Sequence, residues 1–205
     1  MSELSLIQPF AAYRPQPAIA RLASAPPYDV LDSNEARIMA ADNPYSFLRI
    51  SKAEITLPED TPAHDPIVYQ TAAANLQQWI ADGWFIQDEA PRYYLYRLVM
   101  NGHEQTGLVA AASVDAYLNN RIKKHELTRT DKENDRTEFA RATSSHSGPV
   151  FLVYRQANII QQLMDEAAKQ TPTYDFVSDD GIGHTLWVID HPDLILAITN
   201  AFETL

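Results

Sequence analysis

Two β-prone runs, Tyr93–Met100 and Thr106–Val114, are joined by Asn101-Gly102-His103-Glu104-Gln105. Asn-Gly is a strong hairpin signal, because both residues tolerate the positive φ that a tight primed turn demands. An antiparallel pair is therefore written into the middle of the chain, and the fold must seat it in a sheet. The second run, Gly107-Leu108-Val109-Ala110-Ala111-Ala112-Ser113-Val114, is apolar on both faces, which predicts a central strand. Another hairpin is expected from Tyr174–Val177 and His184–Ile189 around Ser178-Asp179-Asp180-Gly181-Ile182-Gly183. Gly148–Tyr154 reads as a buried strand and Tyr45–Ile50 as a short one.

Helical signals alternate with these strands. Asp32-Ser33-Asn34-Glu35 has the form of a capping box, opening a helix that Asn43-Pro44 stops near Ala41. Asp65-Pro66 suits N-cap and N1 of a second helix. Val68, Ala72, Leu76, Trp79 and Ile80 recur at its period, and Gly83 lies where a C′ glycine belongs. Further helices are expected at Thr130–Ser144, Asn158–Lys169 and Asp193–Leu205. The fold class is therefore α+β (mixed α/β): a mostly antiparallel or mixed sheet with β-hairpins and about five packing helices. Residues 1–205 read as one domain, with 1–31 an irregular proline-rich lead and 32–205 the core. In that lead Pro26-Pro27 is stiff and extended, and aims Tyr28 and Asp29 in a defined direction.

Composition narrows the function classes. No cysteine is present, so disulfides, thiolate metal sites and a Cys nucleophile are excluded. Neither a signal-peptide pattern nor an apolar run of bilayer length occurs, and a cytoplasmic protein is expected. The net charge of −11 disfavours a broad phosphate-backbone interface, so nucleic acid is not the expected partner.

Against this acidity stands one cationic island. Arg121–Arg141 holds seven of the sixteen Lys and Arg and five acidic residues, a balance of +2 where the rest sums to −13. Such an island suits a small anionic ligand. Thr130-Asp131-Lys132-Glu133 fits a capping box, which sets Arg129, Lys132 and Arg136 on one face near a helix N-terminus. There, cations oppose the dipole and a bound phosphate would relieve them. The plainer alternative is a solvated face with Glu133–Arg136 and Glu138–Arg141 surface pairs. Lys123-Lys124-His125-Glu126 adds a carboxylate and an imidazole beside cations, the parts needed for proton transfer, and Thr128 offers a hydroxyl to a phosphate oxygen. His103, in the hairpin turn, and His184 carry no metal-ligand spacing, so no transition metal is expected.

Several of these stretches are familiar as a set. Ala25-Pro26-Pro27-Tyr28-Asp29-Val30, Asn43-Pro44-Tyr45-Ser46-Phe47-Leu48, Gly102-His103-Glu104-Gln105-Thr106-Gly107 and Lys123-Lys124-His125-Glu126-Leu127-Thr128-Arg129 stand in the order seen in the DUF 1015 family. So do Lys132, Asp135-Arg136, Ser147-Gly148-Pro149-Val150 and His184-Thr185-Leu186-Trp187. That family is named for its unknown function and looks distantly similar to the ParB/sulfiredoxin-like group, which includes free-serine kinases. The resemblance implies a nucleotide- or phosphate-binding domain that uses ATP or ADP with Mg²⁺ and contributes to phosphoryl transfer to a small hydroxyl substrate such as serine. Lys123, Lys124, Thr128, Arg129, Lys132 and Arg136 would line the phosphate site. Asp29, His125 and Glu126 would be catalytic, and Pro27, Tyr28, His103 and Gln105 would form the substrate pocket. It also implies that the chain is the N-terminal part of a longer family protein. The competing expectation is a non-catalytic interaction or structural domain.

Overall fold

The computed structural model describes residues 5–125 and 127–205. In chain order the elements are β1 (Ile7–Gln8), β2 (Tyr13–Pro15), α1 (Ala20–Ala23), α2 (Ser33–Ala40), α3 (Leu48–Ser51), α4 (Pro66–Ala81), β3 (Phe85–Gln87), β4 (Tyr93–Met100) and β5 (His103–Val109). They continue as β6 (Ala111–Ala112), α5 (Val114–Leu118), α6 (Thr130–Thr143), α7 (Asn158–Ala167), β7 (Tyr174–Val177), β8 (Gly183–Ile189) and α8 (Pro192–Phe202). Among the described residues five helices reach eight residues or more, and antiparallel strands carry the sheets. The protein is α+β, as its hairpin and capping signals predict. The chain forms two compact units, the first from Met1–Pro17, Gln87–His125 and Leu152–Leu205, the second from Ala18–Ile86 and Glu126–Phe151.

The first unit is built on a four-stranded antiparallel sheet of order β5-β4-β8-β7. Asn101 (φ 53°) and Gly102 (φ 76°) make the two-residue turn, which pairs Met100 with His103. His103 therefore begins β5 and is not a loop residue. β4 is the central strand, with Tyr93, Tyr94 and Leu95 buried on alternate sides of the sheet. Ile160 and Met164 of α7 and Ile198 and Phe202 of α8 close over Tyr93, Leu95, Trp187 and Ile189. Full burial of each such side chain is worth about 1.5–3 kcal/mol. At the far end of the sheet Tyr96 Oη lies 2.7 Å from His184 Nδ1 and Ser178 Oγ 2.9 Å from Nε2, while Asp180 accepts from Ser178. Burial lowers the His184 pKa, against the opposing charge of Asp180.

In the second unit α4 packs against α3 and α6. Val68, Ala72, Leu76 and Trp79 meet Ile50, Phe85 and Phe139, and Phe47 stacks on Phe85. The Asp32 capping box is complete: its carboxylate accepts from Asn34 N and Glu35 N, and Glu35 accepts from Asp32 N. Asp65 caps α4 through Ile67 N, and Gly83 (φ 71°) follows its C-terminus. The buried carboxylate of Glu54 is met by Ser33 Oγ at 2.9 Å and Lys52 Nζ at 3.1 Å.

Five local expectations are corrected. β5 is an edge strand, because β8 occupies the other side of β4, and the run breaks after Val109, with Ala111–Ala112 forming β6 against β1 and Val114 opening α5. Tyr45–Ile50 is a turn leading into α3. There the Asn43 side chain accepts from Tyr45 N and donates to Leu22 O, and Arg49 ties back to Ala40 O and Asn43 O. Gly148–Tyr154 is neither paired nor buried: Val150, Phe151 and Val153 are 78%, 75% and 81% exposed. Its β-propensity is a preference for packing on a sheet, and propensity does not supply the partner strand. The Thr130 capping box does not form. Thr130 is already helical, and Arg129, which holds the N-cap position, bonds Asp131 with its side chain. Finally, residues 1–31 are not wholly irregular, since β1, β2 and α1 fall within them.

Candidate functional site

A polar cluster of the second unit is centred on Asp135, on which four hydrogen bonds end. α6 is polar along most of its length and buries a narrow stripe, Asp135, Phe139 and Thr143, at four-residue spacing. Phe139 joins the apolar core. One turn earlier the same stripe carries a carboxylate into a buried position, where it must be satisfied. It accepts from His64 Nδ1 and from Tyr69 Oη, both at 2.7 Å on Oδ1. Arg136 Nε and Nη2 lie 2.8 and 2.5 Å from Oδ2. The local sequence explains each placement. His64 directly precedes the Asp65-Pro66 start of α4, and Tyr69 is one turn into that helix. The turn closed by Val30 N on Pro27 O sets Tyr28 beneath Arg136, with the guanidinium 3.8 Å from the ring centroid.

Electrostatics follow from this geometry. Burial pushes the Asp135 carboxyl upward, but hydrogen bonds from Tyr69, Arg136 and His64 and the Arg136 charge outweigh it, holding the group below the usual carboxylate range. Burial and its bond to Asp135 push the Tyr69 hydroxyl up to about 12, so it stays a donor. An ionised carboxylate only accepts, so His64 must present Nδ1–H to it, and the neutral ring then carries its lone pair on Nε2. The His64 side chain is 66% exposed while that of Asp135 is 6% exposed. A buried carboxylate thus fixes the tautomer and orientation of a surface imidazole. It also holds the Nε and Nη2 edge of Arg136. Lys132 lies one helical turn before Arg136 and has no carboxylate partner among the described residues.

The other sequence candidates are distributed as follows. In the second unit Pro27, Asp29, Thr128, Arg129 and Lys132 are exposed, and Arg129 is paired with Asp131 at 2.8 Å. Arg141 pairs with Glu138, as the solvated-face alternative expects, whereas Arg136 takes Asp135 and not Glu133. In the first unit Lys123, Lys124 and His125 are exposed in the segment after α5, with Lys124 Nζ 4.3 Å from the Tyr117 ring centroid. His103 and Gln105 are exposed on β5. Glu126 lies outside the described residues. Of all these, only Tyr28 and Arg136 enter the Asp135 cluster. His64, Tyr69 and Asp135 as its hub were not anticipated. The one local signal was a histidine set against a Pro-started helix cap, and its carboxylate is 71 residues away.

Asp135 already accepts four hydrogen bonds, which fills its lone pairs, so it is not a vacant metal ligand. Among the described residues no group of three or more His, Asp or Glu side chains gathers to hold a metal ion, and no helix is long and apolar enough to cross a membrane.

Fold and site together define a two-unit α+β protein that displays an aspartate-held histidine beside an arginine. The chain belongs to the family described as a protein of unknown function, DUF1015, whose model matches residues 7–205. No curated protein and no solved structure matches it.

Proposed function

We propose that the second unit binds the phosphate of a small ligand, a nucleotide such as ATP or ADP with Mg²⁺, and that the protein contributes to kinase-like phosphoryl transfer to a small hydroxyl substrate. One observation carries this reading: a single buried carboxylate holds both a histidine and an arginine, whose side chains stay 66% and 35% exposed. Arg136 Nη1 and Lys132 would grip phosphate oxygens, the Arg136 plane being fixed from below by Tyr28. Mg²⁺ would rest on the exposed carboxylate of Asp29, next to Tyr28, since Asp135 is saturated. Phosphoryl transfer needs little beyond positioning and charge neutralisation, and these residue types supply both. Such a ligand is intracellular, and we place the protein in the cytoplasm.

Calorimetric titration of the protein with ATP, ADP and CTP in the presence of Mg²⁺ tests the reading. Binding that weakens by about tenfold or more in Arg136→Ala, the worth of one charge-assisted contact, is the expected result. Lys124→Ala, in the first unit, asks whether the Lys123–His125 segment contributes. Absence of binding to all three nucleotides refutes the reading. The second reading, a non-catalytic interaction module, draws on the exposed apolar run Val150–Tyr154 and on the paired states of Arg129 and Arg141.

A further inference from the structure

The arrangement around Asp135 bears on what His64 does, and this rests on the phosphate-binding reading above. A histidine that only removes a proton needs a lone pair within reach of a hydroxyl. A histidine that accepts a phosphoryl group needs more: a fixed tautomer, a counter-charge for the imidazolium that forms, and cations for the oxygens that arrive. All three are present in one unit. Asp135 takes Nδ1–H and so assigns the nucleophilic lone pair to Nε2. Its buried negative charge lies where the ring becomes positive. The Arg136 guanidinium is separated from the imidazole by the width of that one carboxylate, because His64 bonds Oδ1 and Arg136 bonds Oδ2. Tyr69 Oη, also on Oδ1, prevents the carboxylate from swinging away. The ring is open to solvent over most of its surface.

We infer that His64 is a phosphoryl-accepting nucleophile, modified on Nε2 by a nucleoside triphosphate. In the step, the Nε2 lone pair attacks the γ-phosphorus and forms the P–N bond. The bond from that phosphorus to the bridging oxygen breaks, and its electron pair leaves on the nucleoside diphosphate. The Nδ1 proton stays where it is, shared with Asp135, and the phospho-imidazolium is neutralised by that carboxylate. No proton need be removed and nothing is oxidised. The group can then pass to a hydroxyl acceptor, so His64 would act as a carrier between donor and substrate.

The test compares histidines within the intact chain. Phosphoramidate, a small donor that needs no binding site, is added to the folded protein, and the modified positions are followed with time by mass spectrometry. His103 and His146, both exposed, serve as internal controls. His64 is expected to be phosphorylated on the order of tenfold faster than either control, the worth of one hydrogen bond to a charged group. The difference should vanish in Asp135→Asn, and in the unfolded chain in urea should that variant not fold. Equal rates at the three histidines in the native protein overturn the inference. A parallel incubation with γ-labelled ATP and Mg²⁺ is expected to leave acid-labile phosphate on His64. ATP binding by calorimetry without such label also overturns the inference and leaves the binding reading standing, whereas absence of ATP binding removes that reading itself.

Discussion

Replacing Asp135 by Asn changes one buried oxygen to an amide nitrogen and removes the charge, with almost no change in volume. Four hydrogen bonds end on this carboxylate, from His64, Tyr69 and twice from Arg136. Hydrogen bonds to a charged group are worth about 1.5–3 kcal/mol each when buried. Two of the partners discount that figure, since the side chains of His64 and Arg136 are 66% and 35% exposed and regain water when released. Tyr69 and the carboxylate itself carry most of the cost, so a net loss of about 2–3 kcal/mol is expected, confined to the second unit. Trp79 and Trp84 lie in that unit and Trp187 in the other. Urea unfolding followed by tryptophan emission in a Trp187→Phe background therefore reports the second unit. Acid adds a second arm. The Asp135 pKa is lowered on folding, so its contribution is complete above the unfolded value of about 3.9 and is lost as pH falls through the lower folded value. Parent and variant should therefore differ most near neutrality and converge in strong acid. A loss below about 0.5 kcal/mol, the range of an ordinary surface substitution, or a gap that widens in acid, would refute the reasoning.

Two further outcomes are expected. The His184 pKa is lowered by burial, so the unfolded state binds the proton more readily and the first unit loses stability as pH drops below about 6.5. His184→Gln should flatten that slope in thermal melts read through Trp187, and parallel slopes would count against it. Val153→Asp, at a position 81% exposed, should change stability by less than about 0.5 kcal/mol, and a loss of several kcal/mol in urea unfolding would mean that the segment is covered after all.

Local chemistry was readable and distant partnership was not. Asn101-Gly102 fixed a turn and a seven-pair register, and Asp32 and Asp65 marked two helix starts, because turn and cap preferences act within four residues. The identity of the edge strand was hidden, since whether β5 or β4 is central depends on β8, some 80 residues later. The Gly148–Tyr154 run shows the same limit, with composition suggesting a strand where no partner arrives. At the site, Arg136 and Tyr28 were picked out by charge and by proline stiffness. His64 was missed because it is significant only beside a carboxylate on another helix. The cationic island pointed to α6, but the group that organises the cluster there is its buried anion.

The interleaving of the two units sets an order for synthesis. The second unit has all its residues once Phe151 has been made, whereas the first still awaits β7, β8 and α8. β4 must wait with one side unpaired until β8 arrives, and its partners are far apart in sequence, Tyr93 with Ile189 and Val99 with Gly183. Closing such distant pairs is slow. The backbone of Leu6 is tied to Glu203, 197 residues along the chain, so this early part of the first unit is fastened only after α8 has been made. A stalled ribosome would therefore carry a finished second unit, with its histidine already held by Asp135, beside an open apolar strand that chaperones must shield.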